Sequence, residues 1–173
     1  NKERLNTIIA FLDFEKAFDK LNWHFMDRSL SAFGFGVNFR KFVTVMYTDI
    51  SSCVINNGFT TPYFKLKCGI RQGCPLSALL FIIAAETLVN SIRQNSNIKG
   101  FKLNNTTIKL TQLADDTTLF IALNSKDFQL QNDMINNELN LVSEWLDLNK
   151  LSLNVSKTKF MIFHFQNNNI PLP

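Results

Sequence analysis

Asp115 and Asp116 stand side by side between two apolar, β-favouring arms, Leu110 to Ala114 before them and Thr117 to Leu123 after. The pattern predicts a hairpin with charge at its tip. Adjacent like charges cost free energy unless cations, protons or hydrogen bonds offset it, so the pair is either a solvated turn or a metal site. Taken alone, an Asp-Asp dipeptide reads first as a turn, because Asp forms turns readily. A third carboxylate shifts that balance. Thr7-Ile8-Ile9-Ala10-Phe11-Leu12 reads as a buried strand, and it ends on Asp13. Lys157 and Lys159 lie at the start of another predicted strand, Thr158 to Phe165. Carboxylates with a lysine close by would suit hard divalent cations and a polyphosphate.

Whether these groups can meet depends on the elements between them. Glu15 to Leu21 can form a short helical turn, and Asn22 can cap a helix through about Phe33 that stops at Gly34 and Gly36. A further helix, roughly Asn38 to Tyr47, carries Phe39, Phe42, Val43 and Met46 at helical spacing. Ser52 to Asn56 and Thr60 to Lys67 flank Asn57-Gly58, a hairpin signal. The loop Gly69-Ile70-Arg71-Gln72-Gly73-Cys74 leads to Pro75, suited to the first position of a helix reaching about Gln94. That helix is apolar on most of its surface and is expected to be buried. Ile98 to Leu103 and Thr107 to Lys109 read as short extended pieces around Asn104-Asn105. Ser125 is expected to cap a helix of about Lys126 to Asn149, with Phe128, Ile135, Leu139, Val142 and Leu146 on one apolar stripe. The Asn-rich end, 167–173, is expected to be a disordered tail, leaving 1–166 as one domain.

Setting aside the inserted hairpin and its helices, the order is strand, helix, strand, strand, helix, strand. This predicts an α+β, ferredoxin-like split arrangement, an antiparallel sheet packed on helices. In it the first strand lies beside the third and antiparallel to it, with the fourth strand on its other flank. The end of strand one, the turn between strands two and three and the start of strand four then share one edge of the sheet. Asp13, Asp115 and Asp116 converge there, with Lys157 and Lys159 nearby. Carboxylate oxygens suit magnesium, which keeps several waters and takes further ligands from substrate phosphates. With two such ions about 4 Å apart, one can activate an attacking 3′ hydroxyl while the other neutralises charge on a leaving pyrophosphate. The chemistry implied is nucleotidyl transfer. Solvated turn residues would now need three coincidences on one edge.

Composition sets the outer bounds. A chain of 173 residues with 46% hydrophobic and 18% charged content can bury a real core, which excludes a disordered tail as the whole. The formal charge of +4 and pI near 9.0 fit a polyanionic partner without naming one. Cys53, Cys68 and Cys74 form no CxxC pair, which argues against a disulfide framework or zinc site and for a reducing compartment. An intracellular setting, cytoplasmic and/or nuclear, is expected. The longest unbroken apolar run, Ala78 to Ala85, is far short of the roughly 20 residues that cross a bilayer, so no membrane partner is expected. No secretory signal is expected. A chain that opens on Asn1 and runs almost at once into a strand is expected to be a fragment of something longer.

Leu12-Asp13-Phe14-Glu15-Lys16-Ala17-Phe18-Asp19, Gly69-Ile70-Arg71-Gln72-Gly73-Cys74-Pro75-Leu76-Ser77, Leu113-Ala114-Asp115-Asp116 and Leu153-Asn154-Val155-Ser156-Lys157-Thr158-Lys159 follow one another in that order. They resemble, at plausible intervals, the four catalytic blocks of a reverse transcriptase palm, most similar to those of non-LTR (LINE-type) retrotransposons. The match spans about residues 5 to 165. The resemblance implies an RNA-directed DNA polymerase that extends a DNA primer on an RNA template, using dNTPs and two magnesium ions, with manganese a possible substitute. It further implies that Asp13 and Asp115 bind the metals, with the Phe14 carbonyl a further ligand and Asp116 a second, less direct acid. Phe18 falls where the family places a bulky ring beneath the incoming sugar, which favours deoxynucleotides. Its plainer alternative is a core phenylalanine, one of seventeen. Gln72 and the Gly73 backbone match positions lining the nucleotide and template pocket, while Arg71 reads either as a phosphate or template contact or simply as a surface cation. Lys157 is the implied general acid for pyrophosphate, with Lys159 as the neighbouring alternative and exposed strand-edge charges as the bland one. Glu86, inside the apolar helix, reads as a packing acid with a local partner.

Leu113 stands where the family usually has an aromatic residue, and Ala78 where proline is common. Neither removes a ligand or a donor. The resemblance also implies fingers and thumb segments of a longer polyprotein, for which no stretch of this sequence reads as a source. Two other functions compete with the polymerase. An inactive, truncated retroelement relic would keep the fold with at most weak nucleic-acid binding. A nucleotide cyclase would share the topology but leave Phe18 and the Arg71-Gln72-Gly73 loop without a role.

Overall fold

The computed structural model describes residues 6–103, 105–123 and 127–163. In chain order these form β1 (Asn6–Leu12), α1 (Ala17–Lys20), α2 (Trp23–Ala32), α3 (Val37–Met46), and the short strands β2 (Ser51–Ser52), β3 (Ile55–Asn56), β4 (Phe59–Thr60) and β5 (Phe64–Lys65). There follow α4 (Pro75–Gln94), β6 (Phe101–Leu103), β7 (Thr106–Ile108), β8 (Leu110–Leu113), β9 (Asp116–Leu123), α5 (Phe128–Leu148) and β10 (Lys159–Phe163).

β1 sits inside a four-stranded sheet of order β10-β1-β9-β8 in which every neighbour is antiparallel. That is the strand order of the split arrangement expected from the sequence. Successive side chains of a strand point to opposite faces, so Ile8, Ala10 and Leu12 of β1 share one face, and all three are buried. Leu119, Ile121 and Leu123 of β9 are buried in the same core, as are Leu80, Phe81, Ala84 and Leu88 of α4 and Val142 and Leu146 of α5. The helices thus cover one face of the sheet, the arrangement an antiparallel sheet tolerates. Phe11, on the other face of β1, and all of Phe160–Phe163 in the edge strand β10 are exposed.

Local chemistry accounts for the element ends. The Asn22 side chain accepts a hydrogen bond from the Phe25 amide (3.0 Å) and starts α2, while Gly34, at φ 80°, turns the chain out of it. Pro75 opens α4 in the first turn, where its missing N–H costs nothing. Asp127, rather than the expected Ser125, caps α5 by accepting from the Gln129 and Leu130 amides. Ser125, Lys126, Asn104 and the tail 167–173 lie outside the described residues, as does the side chain of Phe128. Asn57 and Gly58 both have positive φ, as a tight hairpin turn between β3 and β4 requires. The last strand begins at Lys159 and not at Thr158, because the Thr158 amide and hydroxyl both bond back to the Asn154 carbonyl.

Two helices are less buried than their composition suggests. α4 is long and apolar enough to cross a membrane by length and composition alone, so the sequence expectation from unbroken apolar runs understated it. Its inner face packs in the core, but Leu79 and Ile82 remain 57% and 49% exposed. In α3 only Val43 is buried, and Phe39, Phe42 and Met46 face outward. Arg40 ties α3 to α2 by donating to both carboxylate oxygens of Asp27 (2.9 and 2.5 Å).

One buried acid carries a stability consequence. Glu138 of α5 is 5% exposed, lines a cleft of about 540 Å³ with Asn97 and Lys99, and its Oε2 has no hydrogen-bond partner among the described residues. Burial pushes its carboxyl up to about 7, against smaller opposing effects of the Lys99 amide and the Lys109 and Lys99 charges. The folded chain therefore binds this proton more tightly than the unfolded chain. Its contribution to stability is full below pH 4.5 and is lost as pH rises through about 7. Between about pH 5 and about pH 8, urea unfolding should show wild type losing on the order of 2 kcal/mol relative to Glu138→Gln. Parallel pH profiles for the two proteins would overturn this account.

Candidate active site

The site begins where the β1–β10 ladder is interrupted. Regular pairing runs from Thr7 opposite Phe163 to Phe11 opposite Lys159, and resumes at an isolated bridge between Phe14 and Leu153. Residues 154–158 loop out in between, beside Leu12 and Asp13. An interruption of this kind redirects side chains at a sheet edge. Beyond it, the Asn154 amide donates to the Asp13 carbonyl (2.7 Å) and the Glu15 amide to the Ser152 carbonyl (2.9 Å). These bonds use residues 13 and 15, so by antiparallel alternation the Phe14 amide and carbonyl point to the other side of the strand, where β9 lies. Asn154 organises the loop itself. Its carbonyl accepts from the Lys157 and Thr158 amides (3.1 and 2.9 Å), and its side chain accepts from the Ser156 hydroxyl (2.7 Å).

The second strand of the site arrives through the β8–β9 hairpin. Leu113 pairs with Asp116, leaving Ala114 and Asp115 as the turn, and Ala114 sits at φ 55°. A residue with a Cβ adopts that region at a cost, and such strain collects at functional sites. The Gln112 amide donates to the buried Thr117 hydroxyl (3.0 Å) and steadies the base of the turn. Leu12 lies opposite Thr117, so the register continued by one step sets Asp116 level with Asp13.

The third contribution comes from the loop before α4. The Ile70 amide donates to the Phe18 carbonyl and the Gly69 amide to the Leu21 carbonyl, both 2.8 Å, while Trp23 Nε1 donates to the Gly69 carbonyl (2.7 Å). Gly69 has φ 90°, and a Cβ there would fall 2.7 Å from the Asp19 carbonyl oxygen. Only glycine lets the loop lie this close to α1. The approach carries Gln72 to the site, where its side-chain amide donates to Asp19 Oδ1 (3.3 Å). Gly69→Ala should destabilise the protein by about 2–3 kcal/mol, read as a lower urea midpoint. An unchanged midpoint would show that the contact is not a tight one.

The three contributions enclose a cleft of about 470 Å³. Asp13, Phe14, Phe18, Gln72, Asp115 and Lys157 all line it, so six of the residues singled out from sequence share one space. Asp116, Arg71, Gly73 and Lys159 are exposed and do not line it. Glu15, Lys16, Asp19 and Asn154 line it too, and sequence reading gave them no role. Asp19 and Asn154 stand inside the quoted blocks, and that placement was the one available signal. Phe18 is half-buried and stacks on Phe81, with ring centroids 4.8 Å apart and planes 18° from parallel. It is therefore both a core residue and a wall of the cleft.

Asp13, Asp115 and Lys157 form no ion pair among the described residues. Four acids line the cleft, and the two that stand in no ion pair or side-chain hydrogen bond among the described residues, Asp13 and Asp115, offer hard oxygen donors whose charge a cation would offset. Among the described residues no three His, Cys, Asp or Glu side chains gather as a complete metal cage. Magnesium does not require one, since one or two carboxylates together with substrate phosphates hold it. The residues present fit such an ion.

Comparison with known proteins follows the same lines. The family model described as reverse transcriptase (RNA-dependent DNA polymerase) matches residues 1–170. Similar curated proteins include the Transposon TX1 uncharacterized 149 kDa protein of Xenopus laevis, 32% identical over 118 residues, covering 67% of this chain and 9% of that protein. A retrovirus-related Pol polyprotein from the type-1 retrotransposable element R2 of Popillia japonica is 29% identical over 126 residues, covering 73% of this chain and 20% of that protein. Among solved structures, apo telomerase from Candida tropicalis, truncated from its C-terminal domain, superposes with a TM-score of 0.67 at 18% identity, over 98% of this chain and 33% of that one. Identity that low speaks to the fold alone. The chain spans between 9% and 20% of the length of these curated relatives. A family match over nearly the whole sequence joins a sheet that brings at least one residue of each block into one cleft: the chain belongs to the reverse transcriptase (RNA-dependent DNA polymerase) family, with relatives among the proteins of non-LTR retrotransposons.

Proposed function

We propose that residues 1–166 are the palm of an RNA-directed DNA polymerase that transfers a nucleotidyl group from a dNTP to a DNA primer 3′ hydroxyl on an RNA template. The observation that carries the reading is the meeting of Asp13 and Asp115, far apart in sequence and without ion-pair partners, in one cleft with Lys157 and Phe18. Bound divalent cations, two magnesium ions or manganese in their place, would supply Lewis-acid activation of the hydroxyl and neutralise charge on the departing pyrophosphate. Asp13 and Asp115 would hold them, with the Phe14 carbonyl, on the β9 side of its strand, as a further oxygen. Asp116, level with Asp13 but outside the cleft, is the second and less direct acid.

The chain's own residues divide the remaining work. Lys157 is the proton donor to pyrophosphate, carried to the cleft by the 154–158 loop. Phe18 forms the floor under the sugar and leaves no room for a 2′ hydroxyl. Gln72, steadied by Asp19, can both donate and accept at the nucleotide. Arg71 and Gly73, beyond the cleft, serve template or phosphate. Fingers and thumb segments of a longer polyprotein are the proposed partners, and the workplace is intracellular, cytoplasmic and/or nuclear.

The test is incorporation of template-matched dNMP by the full-length protein on a primed RNA, with magnesium supplied or chelated. Extension that needs both the RNA and the metal is the expected result. A cyclic nucleotide product, or no product, would overturn the proposal and favour the cyclase or the relic in its place.

A further inference from the structure

The loop that carries Lys157 has two roots, and they are built differently. Its C-terminal root is regular ladder, from Lys159 opposite Phe11 onward. Its N-terminal root is held to the end of β1 by the single bridge at Phe14 and Leu153 and the two backbone hydrogen bonds that flank it. So short a ladder is weak by itself, since local opening is easiest where few bonds close a segment. A closed triangle of side chains reinforces it. Lys20 Nζ donates to Glu15 Oε2 (2.6 Å) and to the Ser152 hydroxyl (3.0 Å), and that hydroxyl donates to the same Glu15 oxygen (3.2 Å). The three residues come from three segments: Glu15 follows Asp13, Lys20 ends α1 two positions after Phe18, and Ser152 is the root of the loop.

We propose that Glu15, Lys20 and Ser152 form a positioning clamp that sets Lys157 over the end of β1, in register with Asp13 on one side and with the Phe18 wall on the other. The inference rests on the polymerase reading given above. Lys20 and Ser152 do not line the cleft, so they act through Lys157 and touch no substrate. The clamp is partly exposed, with Lys20 and Glu15 side chains at 35% and 46%, and exposed ion pairs add little to overall stability. Its effect is therefore on the placement of one loop and not on whether the chain folds. Small misplacements of a reacting group can cost up to about 100-fold in rate.

Ser152→Ala and Lys20→Met in the full-length protein test the clamp. Each is expected to lower kcat for dNMP incorporation about tenfold with little change in KM for dNTP, and Ser152→Thr, which keeps the hydroxyl, to restore most of it. In a Lys157→Ala background Ser152→Ala should change kcat less than about twofold, because the positioned group is gone. Losses that simply multiply would mean a general structural role and overturn the clamp, as would single variants with wild-type kcat. Hydrogen exchange gives a second reading that needs no activity. The Lys157 and Thr158 amides, bonded to the Asn154 carbonyl, should exchange about tenfold faster in Ser152→Ala, and unchanged exchange rejects the clamp. A wild type that incorporates nothing yet shows faster exchange in the variant would sink the polymerase reading while the loop anchor stands.

Discussion

Asp13→Asn or Asp115→Asn in the full-length protein is expected to lower template-directed dNMP incorporation by at least about 1,000-fold, with the fold intact. Asparagine keeps the size of the side chain and removes the charge that would hold a divalent cation. Both acids lie in the cleft without ion-pair partners among the described residues, so no internal salt bridge is lost with the charge. Removing one of the four acids that line this cleft relieves repulsion, and the urea midpoint should hold or rise slightly. Metal should separate the outcomes further, because raising magnesium should rescue neither variant to wild-type rate. Substantial synthesis by either protein would end the assignment of these carboxylates. A collapse in stability would instead make them structural.

Phe18→Val is expected to raise ribonucleotide use relative to deoxynucleotide use by about 10–100-fold, measured as the ratio of kcat/KM values for matched dNTP and rNTP. Phe18 lines the cleft and its ring stacks on the buried Phe81, so its position is set by core packing. A wall held that way rejects an extra hydroxyl by collision, and a smaller side chain removes the collision. Valine keeps part of the contact with Phe81, yet the lost ring should still cost about 1–3 kcal/mol of stability. An unchanged sugar ratio together with that stability loss would reduce Phe18 to a core phenylalanine.

Much of this architecture is local chemistry, and local chemistry is readable from the chain. Asn22 caps α2 and Pro75 opens α4 because the groups they satisfy lie within one turn of them. The alternation around Asp115-Asp116 and the order of strands and helices were enough for the split sheet, because side-chain period and connection length restrict the topologies available. The convergence of Asp13, Asp115 and Lys157 on one edge followed from that topology.

Other features needed the folded chain. Two adjacent acids look alike in sequence, but the turn leaves Asp115 in the cleft and starts β9 at Asp116, because neighbouring residues at a hairpin end point to different sides. The outward faces of α3 and α4 could not be told from inward ones, since apolar spacing shows that a helix has a greasy face without showing what covers it. Gln72 meets Asp19, and Ser152 meets Glu15 and Lys20, across 53, 137 and 132 positions of chain. The elements and their order were therefore legible in the chain, as were the acids that could serve one site, because each rests on near neighbours, patterning or a quoted block. That Asp13 and Asp115 share a cleft with Lys157 while Asp116 does not line it became visible in the folded chain alone, because it depends on strand register and on a loop whose roots are far apart in the chain.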